Sequence, residues 1–208
     1  MRSRIIILTL CLLPIILIFT ACGGGDDDGE KSGPGEVAFD REAMLQDWAD
    51  LIIIPGYEAY VASLNDLVAA NETFSTDLNE TNLENLRTTY IAAYTVWQRV
   101  AMFEIGAAEE LQLGSFTNIY PTNQETILEH VNFGEYNLEA PSTIDAQGFP
   151  ALDYMLFGLG STLDENLAQL SESNNLDYLE DLINRLQSLG SDVLTCLLYT
   201  SPSPRDRG

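Results

Sequence analysis

The chain of 208 residues is strongly acidic, with 32 Asp and Glu residues against 9 Lys and Arg residues and a formal net charge of −23 at pH 7. Such a surface repels nucleic acid and anionic lipid, and it favours cations or basic partners. Nucleic acid is therefore excluded as an expected partner. Between its two unusual ends, the chain is long enough for one domain with a hydrophobic core.

The first 22 residues, MRSRIIILTLCLLPIILIFTAC, have the layout of a secretory signal. Two arginines precede a long apolar stretch, and small residues lead up to Cys22. We predict a signal peptide over residues 1–21 and lipidation of Cys22, because FTAC resembles a bacterial lipobox. An ordinary cleaved signal that ends near Cys22 is the alternative. Acyl chains on Cys22 would anchor the protein to a membrane without spanning it.

Residues 22–38 are predicted to form a lipidated, flexible and acidic linker. The stretch GGGDDDGEKSGPGE has no apolar residue and cannot contribute to a core. Its three consecutive aspartates are interpreted as residues that keep the linker solvated. They also resemble the acidic signals that direct some lipoproteins to the outer face of the outer membrane. The expected location is the cell envelope, with the anchor in the outer membrane and the protein facing the periplasm or the exterior.

Residues 196–208 are predicted to be an artefactual tail. The string CLLYTSPSPRD, residues 196–206, resembles a codon-by-codon translation of the mosaic-end adapter of transposase-made sequencing libraries. A natural proline-rich tail is the alternative. The native chain is accordingly expected to be cut short near Thr195. The three cysteines then fall in the signal peptide, at the lipidation position and in the tail, so no native disulfide is expected.

The central segment, residues 39–195, has the periodicity of helices. Asp40 is predicted to cap the first helix, and Pro55 with Gly56 is expected to break or kink it. The apolar stripe of this helix is predicted to enter the core. Its members are Leu45, Trp48, Leu51 and Ile52 before the break, and Tyr57, Tyr60, Val61, Leu64, Leu67 and Val68 after it.

Two capping boxes predict further helix starts, Thr81 with Glu84 and Thr122 with Glu125. After Thr81, Leu83, Leu86, Tyr90, Tyr94, Trp97 and Ala101 lie along one stripe, and Glu104 extends it by one step. A short helix is expected to end near Gly134. A last helix carries Leu176, Leu179, Ile183, Leu186 and Leu189 on one side. Without strand alternation or an internal repeat, the pattern predicts an all-α, up-and-down helical bundle.

Most catalytic signatures are missing. His130 is the only histidine, which excludes an H-E-x-x-H zinc site. Paired zinc-binding cysteines, a glycine-rich phosphate loop and a G-x-S-x-G nucleophile elbow are also missing. His130 is interpreted as a surface residue that complements a helix dipole, with a ligand role as the alternative. The tyrosines are interpreted as core residues with hydrogen-bonded hydroxyls, although they could line a pocket.

Two acidic residues stand among apolar ones, Glu104 on the helical stripe and Asp153 in the segment GFPALDYMLFG. A buried carboxylate is costly unless it is paired, hydrogen-bonded or bound to a metal. Asp153 is interpreted first as a cap or network residue, and Glu104 as an outward-pointing residue at a helix end. Together they are the only candidate ligands for a hard cation, which prefers oxygen ligands.

Four segments together resemble the imelysin family of bacterial cell-envelope lipoproteins: DWADLIIIPGYEAY, LRTTYIAAYTVWQRVAMFEIGAAE, NIYPTNQETI and YNLEAPSTIDAQGFPALDYMLFGLG. The resemblance implies a helical fold of two bundle-like halves, of which residues 39–195 supply chiefly the first. The hallmark of the family is a G-x-H-x-x-E motif. Gly148 matches its glycine, whereas Pro150 replaces the histidine and Asp153 replaces the glutamate.

The family is associated with iron regulation and iron uptake, and it was first described as an insulin-cleaving metallopeptidase. Because Pro150 offers no lone pair to a metal, we expect a non-catalytic binding or accessory lipoprotein associated with iron uptake. The alternatives are an imelysin-type metallopeptidase and a structural envelope protein without a small ligand. The expected cofactor, if any, is iron or another hard divalent or trivalent cation. The expected partners are the membrane, through the lipid anchor, and components of iron uptake.

Overall fold

Helices form all the regular secondary structure in the computed structural model, which describes residues 39–200. No strand occurs in this range, and the all-α, bundle-like class is confirmed. The α-helices in chain order are α1 (Arg41–Trp48), α2 (Ile54–Thr76), α3 (Glu80–Val100), α4 (Ala107–Glu110), α5 (Leu113–Thr117), α6 (Gln124–Phe133), α7 (Gly148–Asp153), α8 (Leu163–Leu170) and α9 (Ser173–Thr200). The predicted signal peptide, Cys22, the linker as far as residue 38 and the end of the tail lie outside the described residues.

A π-helical turn, Ala49–Ile53, joins α1 to α2. Pro55 has no backbone N–H and cannot donate the bond that a regular helix requires at this position. The preceding turn is widened, and the Ile54 N–H bonds to the carbonyl of Ala49, five residues back. The interruption predicted at Pro55 and Gly56 therefore takes the form of a widened turn, after which the chain continues as α2.

The apolar stripe is buried after this turn but not before it. Tyr57, Tyr60, Leu64 and Leu67 of α2 are buried, as predicted. The prediction was wrong for the earlier members, because Leu45, Trp48, Leu51 and Ile52 are between 49% and 72% exposed. Periodicity identifies an apolar face but not the element that covers it, and α1 contains no buried residue.

The core lies among the long helices, where α2 packs against both α3 and α9. Three residues link α2 to α3, so the two helices are neighbours in the bundle. The fully buried side chains include Tyr60, Leu64, Leu67, Phe74, Leu83, Leu86, Leu179 and Leu182. The short helices α4 to α8 surround this frame, and α7 lies against α9. None of the helices in residues 39–200 has the length and hydropathy required to cross a membrane.

The helix caps differ from the predicted ones. The side chain of Asn79 caps α3 by accepting a bond from the Asn82 N–H at 2.9 Å. Asn123 caps α6 in the same way, with the Thr126 N–H as donor at 3.1 Å. The predicted boxes at Thr81 and Thr122 were therefore wrong. Asparagine caps a helix at least as well as threonine, and in both cases an asparagine lies within two residues of the predicted cap.

Two helix ends bear on the predicted sites. Helix α3 ends at Val100, so Glu104 does not extend its stripe as predicted but lies in the following loop. Helix α6 ends as predicted near Gly134, which has a positive φ of 66°. At the other end of the described range, α9 continues past Thr195 to Thr200.

Candidate functional site

A cleft with a volume of about 540 Å³ lies between α3, the loop before α6, and the segment formed by α7 and the π-helical turn Tyr154–Gly158. A cleft of this size accommodates a small organic ligand. Five of its lining residues are aromatic, and one is a carboxylate. The lining residues are Tyr90, Tyr94, Asn118, Tyr120, Pro121, Thr122, Gln124, Pro150, Asp153, Tyr154, Phe157 and Gly158.

Gly148 fixes the position of α7 on this cleft. Its φ is +76°, a conformation that favours glycine. A Cβ atom at this position would lie 2.2 Å from the carbonyl oxygen of Thr117, at the end of α5. The residue that matches the family glycine is therefore required by its backbone angle and by the close approach of α5.

Helix α7 has one buried face and one face towards the cleft. Phe149, Ala151 and Leu152 are fully buried, whereas Pro150 is half-buried and Asp153 is exposed. The apolar surroundings predicted for Asp153 were wrong, because the apolar neighbours in sequence point to the other side of the helix. The Asp153 carboxyl group therefore lies at the cleft surface, accessible to solvent.

The hydroxyl of Tyr90 lies next to this carboxylate. It donates a hydrogen bond to the carbonyl of Phe149 at 3.1 Å, and it lies 3.5 Å from Oδ1 of Asp153. Burial raises the pKa of Tyr90 far above its usual value, and the negative charge of Asp153 raises it further. The phenol is accordingly protonated and neutral at physiological pH. Within residues 39–200, Tyr90 is the only hydrogen-bonding partner of the Asp153 side chain.

The π-helical turn Tyr154–Gly158 presents two aromatic rings to the cleft. It is supported from behind by Asn166, whose buried amide donates to the carbonyls of Met155 and Leu156 at 3.2 and 3.0 Å. The side-chain oxygen of Asn166 accepts bonds from the backbone just after the turn. All hydrogen-bonding groups of this buried side chain are thus engaged, as burial requires.

Arg87 provides the second support. Its Nε and Nη2 both donate to the carbonyl of Leu156, at 2.9 and 2.6 Å, and its guanidinium lies 4.7 Å from the centroid of the Phe157 ring. Neither Arg87 nor Asn166 was predicted as a site residue from the sequence. The sequence shows only an arginine inside a helix with few basic residues. This pattern does not indicate which group accepts the hydrogen bonds of the arginine.

The opposite wall is the loop from Asn118 to Gln124. It contains a cis peptide bond between Tyr120 and Pro121, and the Tyr120 side chain is 86% exposed. The loop is tied to Asp145, whose carbonyl accepts bonds from the Thr122 hydroxyl at 2.8 Å and the Asn123 N–H at 2.7 Å. This wall is therefore fixed at one end and open to solvent at Tyr120.

Glu104 occupies a different environment and is not one of the residues that line the cleft. Its Oε1 accepts a bond from the N–H of Gly114, in the first turn of α5, at 3.0 Å. Burial raises the pKa of the nearby Tyr57 to about 12, with a further contribution from the charge of Glu104. The structure thus gives Glu104 and Asp153 separate hydrogen-bonding partners. A cation bound by both remains a prediction.

The donors at the cleft do not fit a resident catalytic metal. A catalytic zinc is held by three protein ligands, usually with histidine among them. The cleft offers one carboxylate, phenol hydroxyls and side-chain amides. Across the described residues, no three His, Cys, Asp or Glu side chains are grouped so that they could hold a metal ion. We therefore derive no metal-dependent step from this site.

His130 lies in an aromatic cluster and not on the open surface. Its ring is 5.6 Å from that of Tyr178 and 5.4 Å from that of Tyr136. The Tyr178 hydroxyl donates to the carbonyl of Ala146 and so accepts from Nδ1 of His130 at 3.1 Å. Burial lowers the pKa of His130, against the opposing charges of Glu129 and Asp145. The lowered pKa of His130 disfavours the charged form that the predicted role at the helix dipole requires.

Comparisons with known proteins agree with the helical fold. The Imelysin family model matches residues 53–195, which is more than half of the chain. A crystal structure described as an iron-regulated protein A precursor from Parabacteroides distasonis is similar with a TM-score of 0.63 and 21% sequence identity. The similarity covers 74% of this chain and 44% of that one, so the chain spans less than half of the length of this structural relative. The comparison with curated proteins found no match. The match to the family model shows that this chain belongs to the imelysin family.

Proposed function

We propose that this imelysin-family chain is a non-catalytic binding protein of the cell envelope, associated with iron uptake, and that the aromatic cleft is its ligand site. The observation that carries the proposal is which side chains stand at the motif positions in the cleft. Pro150 and Asp153 both line the cleft, so the substituted motif positions face the same space. The proline side chain has no atom that can bind a metal or accept a proton. Among the described residues, the carboxylate of Asp153 has only the Tyr90 phenol as a hydrogen-bonding partner.

A metallopeptidase needs a metal that activates water, and the metal needs a set of ligands. The cleft supplies one carboxylate, Asp153, and the second predicted carboxylate, Glu104, accepts a hydrogen bond from the backbone of α5. An isolated carboxylate on an aromatic surface is better suited to recognition than to water activation. Asp153 would therefore orient a bound ligand by its charge.

The association with iron has two supports. The family is associated with iron regulation and uptake, and the similar crystal structure is described as an iron-regulated protein. Iron itself would then be cargo, and the aromatic lining favours an organic molecule over a bare ion. The alternative is that the protein binds a hard cation directly, through the predicted site at Asp153 and Glu104.

The proposal is tested with the mature protein on an unfolded, fluorescently labelled polypeptide, with and without added zinc. We expect no cleavage under either condition. Zinc-dependent cleavage by the wild type that is lost in Asp153→Asn would contradict the proposal and restore the peptidase assignment. Asp66→Asn is the matched control, because Asp66 is exposed on α2 and does not line the cleft.

The envelope location is a separate part of the proposal and rests on Cys22, outside the described residues. Two acyl signals on one cysteine hold a protein on a membrane stably. We expect Cys22→Ala to move the protein from the membrane fraction to the soluble fraction. If the variant still sediments with membranes after a high-salt wash, the lipid anchor is not what holds it.

A further inference from the structure

We propose that the cleft recognises a methylated ammonium group, a cation that carries no N–H donors. This inference rests on the proposed binding function and adds the chemical class of the ligand. It is carried by the arrangement of aromatic rings around a single exposed carboxylate.

The aromatic cage that lines the cleft includes two nearly parallel rings and a third that is inclined to one of them. Tyr90 and Tyr94 are stacked, with centroids 6.3 Å apart and planes inclined by 16°. The ring of Phe157 lies 6.0 Å from Tyr90 and is inclined to it by 56°. Tyr154 and Tyr120 complete the lining from the π-helical turn and from the opposite loop. The negative faces of aromatic rings attract cations, and methylated ammonium ions are the ligands that such cages bind best.

Tyr90 and the turn that carries Tyr154 and Phe157 are held in place without a ligand, whereas Tyr120 is open to solvent. The Tyr90 hydroxyl is bonded to the carbonyl of Phe149. The turn that carries Tyr154 and Phe157 is held by Asn166 and Arg87. The guanidinium of Arg87 lies 4.7 Å from the centroid of the Phe157 ring, so one side of this ring already packs against a cation. Preformed sites bind more tightly because less ordering is needed on binding.

The charge of the site has the sign that a cation requires. Asp153 is exposed at the cleft and has no ion-pair partner among residues 39–200. None of the Lys or Arg side chains in that range lines the cleft. The net charge of −23 adds a long-range attraction for cations and repels anionic ligands.

The hydrogen-bonding capacity of the cleft decides between kinds of cation. A primary ammonium has three N–H donors and a guanidinium has five, and these must find acceptors once water is removed. The cleft offers one carboxylate, and its other side-chain acceptors are the uncharged oxygens of Asn118, Thr122 and Gln124 and the tyrosine hydroxyls. A methylated ammonium has no donors to satisfy, and its methyl groups bury apolar surface against the rings. The site therefore favours it over lysine-like or arginine-like groups.

The test compares choline with 3,3-dimethyl-1-butanol, which has the same shape and no charge, by titration calorimetry on the mature protein. We expect choline to bind at least about 10-fold more tightly than its neutral isostere, which corresponds to about 1.4 kcal/mol. Asp153→Asn should weaken choline binding several-fold and leave the isostere unaffected. Tyr120→Ala should weaken both, and because Tyr120 is 86% exposed, this variant tests the cage without endangering the fold.

Equal binding of choline and the isostere would overturn the cation inference but would still support a binding cleft. If neither ligand binds, the cation inference is also overturned. Zinc-dependent peptide cleavage would instead overturn the underlying function, so the two failures are distinguishable. Tighter binding of lysine amide than of choline would also contradict the inference. Sedimentation with phosphatidylcholine vesicles that free choline reverses would assign the group to a lipid head; choline binding without vesicle binding would assign it to a soluble molecule.

Discussion

Glu104 and Asp153 lie in two regions that each combine a carboxylate with a tyrosine but differ in how the carboxylate is hydrogen-bonded. Each carboxylate is close to a tyrosine, Tyr57 or Tyr90, whose hydroxyl donates to a backbone carbonyl. In both regions, burial of the tyrosine raises its pKa and the carboxylate raises it further. Only Glu104 has a backbone N–H as a second partner, on Gly114. Asp153 lies at the cleft and has no such backbone partner among the described residues.

Helix α5 connects the two regions. Glu104 accepts from the first turn of α5 at Gly114, and the carbonyl of Thr117 at its last turn lies against Gly148. A carboxylate that satisfies a backbone donor stabilises the fold, whereas one beside a phenol and open water is available to a ligand. If the binding proposal holds, the hydrogen-bonding partner of an acidic residue, and not its apolar surroundings in sequence, separates a structural acid from a binding one.

The largest effect is expected where the two regions meet, in Gly148→Ala. The substitution combines a left-handed backbone angle with a Cβ atom 2.2 Å from the Thr117 carbonyl oxygen. Neither the backbone of α5 nor that of α7 can move without disturbing the core. We expect the free energy of unfolding in urea to fall by roughly 3 kcal/mol or more.

Gly134→Ala is the matched control for this change. Gly134 has a similar φ of 66°, but a Cβ atom there would have nothing within 4 Å. It should cost only the backbone term, about 1–2 kcal/mol. If the two variants are equally destabilised, the contact between α5 and α7 does not constrain the cleft as described.

A smaller loss is expected in Asn166→Ala. This buried side chain bonds to the carbonyls of Met155 and Leu156 and to the N–H groups of Leu159 and Gly160. Leaving buried backbone groups without partners costs about 1–3 kcal/mol. The same variant should weaken binding in the cleft, because the turn that carries Tyr154 loses its support.

Asn85→Ala, on the exposed side of α3, should change the unfolding free energy by less than about 0.5 kcal/mol. Were Asn166→Ala as mild as this control, the π-helical turn would be held by Arg87 alone.

The long helices could be predicted from sequence, because their burial is periodic. Leu83, Leu86 and Trp97 are buried on α3 at the predicted spacing. The same logic failed at Trp48, since an apolar stripe does not reveal whether another element covers it. It also failed at Glu104, because the end of α3 at Val100 has no strong breaker in the sequence.

The candidate site was predictable only in part. The motif positions Gly148, Pro150 and Asp153 were located through the family resemblance, and the structure places the latter two on the cleft. The cage was not predicted, because its members come from three distant segments. Tyr90 was expected in the core, where it is only 4% exposed, and it also lines the cleft. Helical spacing cannot tell a core tyrosine from one at the edge of a cavity.

The two carboxylates can be compared directly by truncation. Glu104→Ala removes an acceptor from the first turn of α5 and should lower the unfolding free energy by about 1 kcal/mol, as the loss of a helix cap does. Asp153→Ala should change it by less than about 0.5 kcal/mol, because Tyr90 keeps its bond to the Phe149 carbonyl. Urea unfolding of both variants measures the difference. An equal loss in Asp153→Ala would make Asp153 a structural residue and remove it from the binding proposal.

The smallest effect concerns the ionisation of Tyr57. Its pKa in the folded protein is raised to about 12, mainly by burial and then by the charge of Glu104. A tyrosine in the unfolded chain has a pKa of about 10. Tyr57 therefore contributes stability below about pH 10, and this contribution is lost as the pH rises from about 10 to about 12. Glu104→Gln should lower the pKa of Tyr57 but leave it above that of the unfolded chain, because the larger contribution of burial remains. NMR of ring-labelled tyrosine, assigned with Tyr57→Phe, measures the shift, and Glu72→Gln on the exposed side of α2 should leave it unchanged. If Glu104→Gln titrates like the wild type, the charge of Glu104 does not act on Tyr57, and the parallel with Asp153 and Tyr90 fails.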